Sequence, residues 1–128
     1  MEKKIARPDA PNHYMVLRPV ERRIVVRLPD GPKLAETTNA VRLMEHGRSL
    51  YDPVIYLPMD DVIIPLQKQE KSTHCPLKGD ACYFSLNHEG VTLTDLAWSY
   101  PTPLDFSSDI AGLIAFYGDK VVLEEHPL

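Results

Sequence analysis

The stretch ACYFSLNHEGVTLTDLAW, Ala81 to Trp98, holds two runs of strand length, ACYFSL and VTLTDLAW, separated by Asn87-His88-Glu89-Gly90. A hydrophilic tetrapeptide ending in glycine is a turn, so the two runs read as a β-hairpin. Matching like with like sets its register: Leu86 opposite Val91, Ser85 opposite Thr92, Phe84 opposite Leu93 and Tyr83 opposite Thr94. Phe84, Leu86, Val91 and Leu93 then share a core face, to which Cys82 also belongs. Tyr83, Ser85, Thr92, Thr94, Trp98 and Tyr100 share the other. Extended outward, this register sets Trp98 opposite Gly79, with the indole beside the Lys78-Gly79 turn.

Upstream lies STHCPLKGDACYFS, Ser72 to Ser85, which brings His74, Cys75, Lys78 and Gly79 to the same hairpin end. A lysine near a thiol favours the thiolate, and a glycine lets a ligand approach the backbone beside an aromatic wall. The candidate catalytic residues are therefore Cys75, His74 and Lys78. Gly79, Tyr83, Trp98 and Tyr100 are the candidate ligand-binding residues, with Arg42 and Tyr56 as weaker additions from neighbouring strands. Each has a plain structural alternative: a Cys-Pro-Leu-Lys-Gly run is often only a turn, and a buried cysteine or tryptophan is usually core.

The other runs are short and divided by twelve prolines in 128 residues, which excludes long helices. RRIVVRL (Arg22 to Leu28) and KLAET (Lys33 to Thr37) flank Pro29-Asp30-Gly31-Pro32 as a second hairpin, and AVRLMEHG and PVIYLP are of strand length. PMDDVIIPLQ supports at most a short helix capped by Asp60. In SSDIAGLIAFYGD the helical spacing of Ile110, Leu113, Ile114 and Tyr117 predicts a second helix, capped by Ser107 or Ser108 and closed by Gly118. KVVLEE then forms a last strand. The expected fold is mainly β: one compact domain of antiparallel strands with two short helices, spanning residues 20–126.

Residues 1–27 carry seven Lys/Arg against three Asp/Glu, a local +4, which leaves −8 for the other 101 residues of a chain whose net charge is −4. No aromatic or glycine residues interleave with the basic ones in the manner of a nucleic-acid interface, so residues 1–19 read as a basic, proline-containing, solvated leader and nucleic acid is not an expected partner. The first residues lack the apolar segment of a signal peptide, and no run approaches the length of a membrane span. The expectation is a cytoplasmic protein with no membrane partner, in which Cys75 and Cys82 are thiols.

The run Thr73-His74-Cys75-Pro76, with Lys78-Gly79, Ala81, Tyr83 and Ser85, resembles a small bacterial and fungal domain family of unknown function. Ala97-Trp98-Ser99-Tyr100, Ile110-Ala111-Gly112 and the upstream PVIYLPMDDV fit the same pattern, so the resemblance spans Val20 to Glu125. It implies a compact, mainly β domain of β-tent type, and the family is sometimes filed as nucleotidyltransferase-like. Cys82 departs from the family, in which a small residue such as serine is expected. The residues themselves do not supply the carboxylate pair and glycine-rich turn that nucleotidyl transfer requires, since Asp60 and Asp61 are adjacent and point apart.

His74, Cys75, Cys82 and His88 are zinc-ligand types, and the β-tent resemblance implies that relatives of the fold carry zinc. Their spacing lacks a Cys-x₂₋₄-Cys knuckle, so no cofactor is expected and zinc is disfavoured. The function expected is that of a small-molecule-binding or enzymatic domain with a pocket at the His74 to Gly79 turn and Trp98, taking an anionic or aromatic ligand and drawing on the Cys75 thiol. The alternative is a non-catalytic interaction module whose exposed aromatic face binds a protein or a second copy as a homodimer.

Overall fold

The computed structural model describes residues 2–128. Eleven strands run β1 (Lys3–Arg7), β2 (Ala10–Pro19), β3 (Arg23–Arg27), β4 (Lys33–Thr37), β5 (Val41–His46), β6 (Val54–Pro58), β7 (Gln67–Cys75), β8 (Gly79–His88), β9 (Val91–Pro103), β10 (Leu113–Phe116) and β11 (Val122–His126). Two short 3₁₀ segments, Met59–Asp61 and Asp105–Ile110, complete the chain. The fold is mainly β and forms two antiparallel sheets, one of eight strands in the order β1-β2-β5-β6-β10-β9-β8-β7 and one of three in the order β11-β3-β4. No helix is long and apolar enough to cross a membrane among the described residues.

Alternating apolar residues give the large sheet two buried faces. One packs against the small sheet: Leu57, Leu86, Ala97 and Ile114 meet Ile24, Val26 and Leu34. The opposite face gathers Met15, Leu17, Leu43, Tyr56, Tyr83, Tyr100 and Ala115 around Leu77 and Ile110. Laid flat, β5 and the β7–β8 turn would be roughly 20 Å apart at the usual spacing of neighbouring strands. Yet Lys78 in that turn hydrogen-bonds Glu45 on β5. The large sheet is therefore curled, with the second face inside the curl.

The β8–β9 hairpin exists with a tighter turn and a different register. Its loop is the two residues Glu89 and Gly90, at φ 51° and 78°, closed by His88 opposite Val91. Positive φ at both positions is the primed-turn geometry that matches strand twist. Leu86 consequently faces Leu93, not Val91, and Val91 is exposed. An irregularity between Phe84 and Leu86, where β9 carries Asp95 at φ 51°, moves Phe84 opposite Ala97 and Tyr83 opposite Trp98. A second one between Asp80 and Cys82 sets Gly79 opposite Pro103, so Trp98 is not beside Gly79.

Three further expectations are corrected. The segment read as a leader forms β1 and β2 of the large sheet, joined by a Pro8-Asp9 turn with Arg7 opposite Ala10. Ile5, Met15 and Leu17 are buried there, so hydrophobic burial fixes a segment that its charge marks as solvated. The helix expected over 107–117 is instead a 3₁₀ segment followed, after Gly112 at φ 77°, by the strand β10. β10 lies between β6 and β9, and a strand buried on both faces reads as a plain apolar run rather than an alternation. Neither Ser107 nor Asp60 caps a helix: Leu104 and Pro58 occupy those positions, without side-chain capping bonds.

Candidate functional site

A cross-strand row builds the wall of the site. Directly opposed residues in antiparallel strands share a face. Tyr56 on β6 pairs with Ala115 on β10, Ala115 pairs with Trp98 on β9, and Trp98 pairs with Tyr83 on β8. The two large rings meet across the small Ala115. Trp98 Nε1 donates a 3.0 Å hydrogen bond to Tyr56 Oη, and the rings stand edge to face at 85° with centroids 6.1 Å apart. The Tyr117 ring is tilted by 50° against that of Trp98, with centroids 4.5 Å apart.

These rings enclose a cavity of about 250 Å³, lined also by Leu43, Glu45, Val54, Lys78 and Tyr100, with Tyr51 and Asp52 at the rim. Tyr100 is 8% exposed, and its hydroxyl, neither sealed from solvent nor hydrogen-bonded to protein among the described residues, is available to a ligand. Tyr83 Oη is within 2.7 Å of Thr73 Oγ1. Burial pushes the phenols of Tyr56, Tyr100 and Tyr117 above their ordinary value, so they remain protonated donors.

Glu45 is the shielded carboxylate of the cavity. Its carboxylate accepts from Lys78 Nζ through one oxygen and from His13 Nε2, at 2.9 Å, through the other. Burial works to raise the Glu45 pKa, but the bonds from Lys78 and His13 outweigh it and hold the carboxyl below the usual glutamate value. The ammonium of Lys78 is thus already neutralised. Lys78 is carried to this place by a turn locked from outside: Leu104 N donates to Lys78 O at 3.0 Å, and Ser107 Oγ to Leu77 O at 2.6 Å.

Of the residues singled out in the sequence, Tyr56, Lys78, Tyr83, Trp98 and Tyr100 line the cavity together. His74 does not: it is exposed on β7 with Nδ1 2.8 Å from Asp80 Oδ1 of the neighbouring strand. Gly79, at φ 113°, serves the chain's own packing, because a Cβ there would come within 3.1 Å of Leu104 N. Arg42 is bound to both oxygens of Glu125 at 3.2 and 3.1 Å, away from the cavity lining. Cys75 is partly buried and packs against the inner-face cluster outside the cavity lining, while Cys82 is buried with Sγ 3.1 Å from Ser99 Oγ. His74, Cys82 and His88 thus have separate partners, His88 lying 2.9 Å from Asp30, and the four zinc-ligand types do not form one set.

The sequence does not single out Glu45, His13 or Tyr117 as site residues. Alternation along Val41-Arg42-Leu43-Met44-Glu45 puts a glutamate where the inward face calls for an apolar residue, and this was a readable signal for Glu45. Tyr117 and His13 are brought in only by the strand order.

Comparison with curated proteins gives no match. The family model described as "Domain of unknown function (DUF427)", labelled NTP_transf_9, matches residues 16–126, from the end of β2 through β11, and the chain belongs to that family.

Proposed function

We propose that this protein binds a compact planar small molecule, neutral or anionic, in the cavity between Trp98 and Lys78. The observation that carries the reading is the convergence of five aromatic side chains, an available Tyr100 hydroxyl and a neutralised Lys78–Glu45 pair on one concavity. Pockets with apolar walls and few polar groups hold ligands, and aromatic walls favour flat ones. At about 250 Å³ the space lies below the roughly 300–1,000 Å³ of drug-sized sites, which suits a one- or two-ring molecule. A cationic ligand fits less well, because the protein's own ammonium groups already stand over three of the rings: Lys71 over Tyr83 at 4.3 Å, Lys78 over Tyr100 at 5.4 Å and Lys120 over Tyr117 at 5.2 Å.

The reading is one of binding. Cys75 is not part of the cavity lining, and the Lys78 ammonium is engaged by Glu45, which removes the basis for a lysine-activated thiol. A flat aromatic interaction face is also disfavoured, since Tyr56, Tyr83 and Tyr100 are 2%, 9% and 8% exposed. A thermal-shift screen of planar heteroaromatic acids and neutral heterocycles tests the proposal. Hits should stabilise the wild type and lose most of that effect in Tyr100→Phe, whose fold is not expected to depend on the free hydroxyl. Hits that stabilise Tyr100→Phe and Trp98→Phe as well as the wild type would place binding elsewhere.

A further inference from the structure

We infer that Cys75, His13 and Glu45 form a binding site for one zinc-like divalent cation beside the cavity, to whose lining Glu45 also belongs. Three ligand types from three strands meet there: the thiol of Cys75 at the end of β7, the imidazole of His13 on β2 and the carboxylate of Glu45 on β5. One ligand atom from each lies within 4.8 Å of the other two, and all three residues are partly shielded from solvent. Around a tetrahedral zinc, with bonds of about 2.0–2.3 Å, ligand atoms stand roughly 3.3–3.7 Å apart, so closure needs small side-chain adjustments only.

The surroundings fit a cation despite the lysine beside them. Arg7 stands 3.5 Å from His13 Nδ1, which leaves Nε2 turned to Glu45 on the cluster side. Metal binding through Nε2 puts the ring proton on Nδ1, so the Arg7 contact is given up while Arg7 keeps its bonds to Asp9 at 3.3 and 3.1 Å. Lys78 bonds the Glu45 oxygen that His13 does not use, and so orients the carboxylate as an outer-shell partner does. A thiolate and a carboxylate bring two negative charges to a divalent ion, and the sulfur selects a zinc-like metal over magnesium or calcium.

Three protein ligands leave a fourth position open, the pattern of functional rather than structural zinc. Two hydrophobic clusters hold the fold without it. Its ligands are thirty or more residues apart in sequence, so no local spacing marks the site. The second cluster, Asp30, His88 and Glu89, has no thiol and is the natural control.

Cobalt(II) is the probe. Untagged, chelator-treated protein titrated with Co²⁺ should take up one ion per chain with tetrahedral visible bands and a near-ultraviolet thiolate-to-metal band. Cys75→Ser should abolish the near-ultraviolet band, and His13→Ala should weaken uptake by more than the roughly 10–100-fold typical of losing an outer-shell partner. Cys82→Ser and His88→Ala should leave both features unchanged, and circular dichroism checks that each variant is folded. No thiolate band in the wild type, or a band that survives Cys75→Ser, overturns the site. The measurement does not involve the cavity ligand, so its failure leaves the binding proposal standing.

Discussion

Trp98 and Tyr56 are joined by a 3.0 Å hydrogen bond that passes over Ala115, the residue paired with both of them in adjacent strands. The bond ties β9 to β6 across β10 and holds these two rings of the cavity wall nearly at right angles. Removing either partner leaves a shielded polar group unpaired, which costs about 1–3 kcal/mol. Trp98→Phe and Tyr56→Phe should each destabilise the protein by that order in urea unfolding. The double variant should cost about 1 kcal/mol less than the sum, because the pair loses one bond rather than two.

Ala115 has no exposed surface, and its methyl is the spacer beneath that bond. Ala115→Leu should cost about 1–3 kcal/mol by overpacking and push the rings into the cavity. Ligand binding should fall more steeply in this variant than in a surface variant of equal stability.

Glu45 sets a pH dependence. Its carboxyl titrates below the ordinary 4.5 in the folded protein, so its pairing stabilises the fold above that value and is lost as the pH falls through the lower, folded-state value. Glu45→Gln should cost on the order of 1–3 kcal/mol at pH 7, a gap that narrows towards pH 3. Denaturant titrations at the two pH values measure it. Residual acid sensitivity should remain, since Asp9, Glu36, Asp95 and Glu124 are shifted in the same direction by their own hydrogen-bonding partners.

The two thiols should differ in reactivity. Cys82 is buried against Ser99, while Cys75 is partly accessible. Iodoacetamide at neutral pH should modify Cys75 first, and Cys82→Ser should cost about 1 kcal/mol or less. Faster modification of Cys82 in the folded protein would show that the β7–β8 hairpin opens.

The strands around the hairpins were legible because β-branched runs and Pro-Gly turns mark them directly, as in Arg22 to Thr37. The register of the β8–β9 hairpin was not. Nothing in Asn87-His88-Glu89-Gly90 distinguishes a four-residue loop from a Glu-Gly loop between paired His88 and Val91, and the kink at Asp95 is a backbone event without a sequence mark. The partners of Leu86 and Tyr83 differ from expectation by two and four residues, both even, and an even slip leaves every side chain on its face. That is why Tyr83, Trp98 and Tyr100 still share a wall although Trp98 left Gly79. The slip of one between Asp80 and Cys82 sets Gly79 opposite Pro103, and His74, paired with Asp80, lies on the opposite face of the β7–β8 hairpin from Tyr83. Glu45 and His13 entered through sheet curvature, which depends on the whole strand order.

Trp98 is the single tryptophan of the chain and stands in the cavity wall, so its fluorescence reports occupancy without a label. Titrating the strongest stabilising compound from the planar-ligand screen should change Trp98 emission saturably, at the concentration that raises the melting temperature. Tyr100→Phe should shift that curve to weaker binding by roughly tenfold, the equivalent of one hydrogen bond of about 1.4 kcal/mol. A compound that stabilises the protein while leaving Trp98 emission unchanged, or that binds Tyr100→Phe as well as the wild type, would contradict the assignment of this cavity as the binding site.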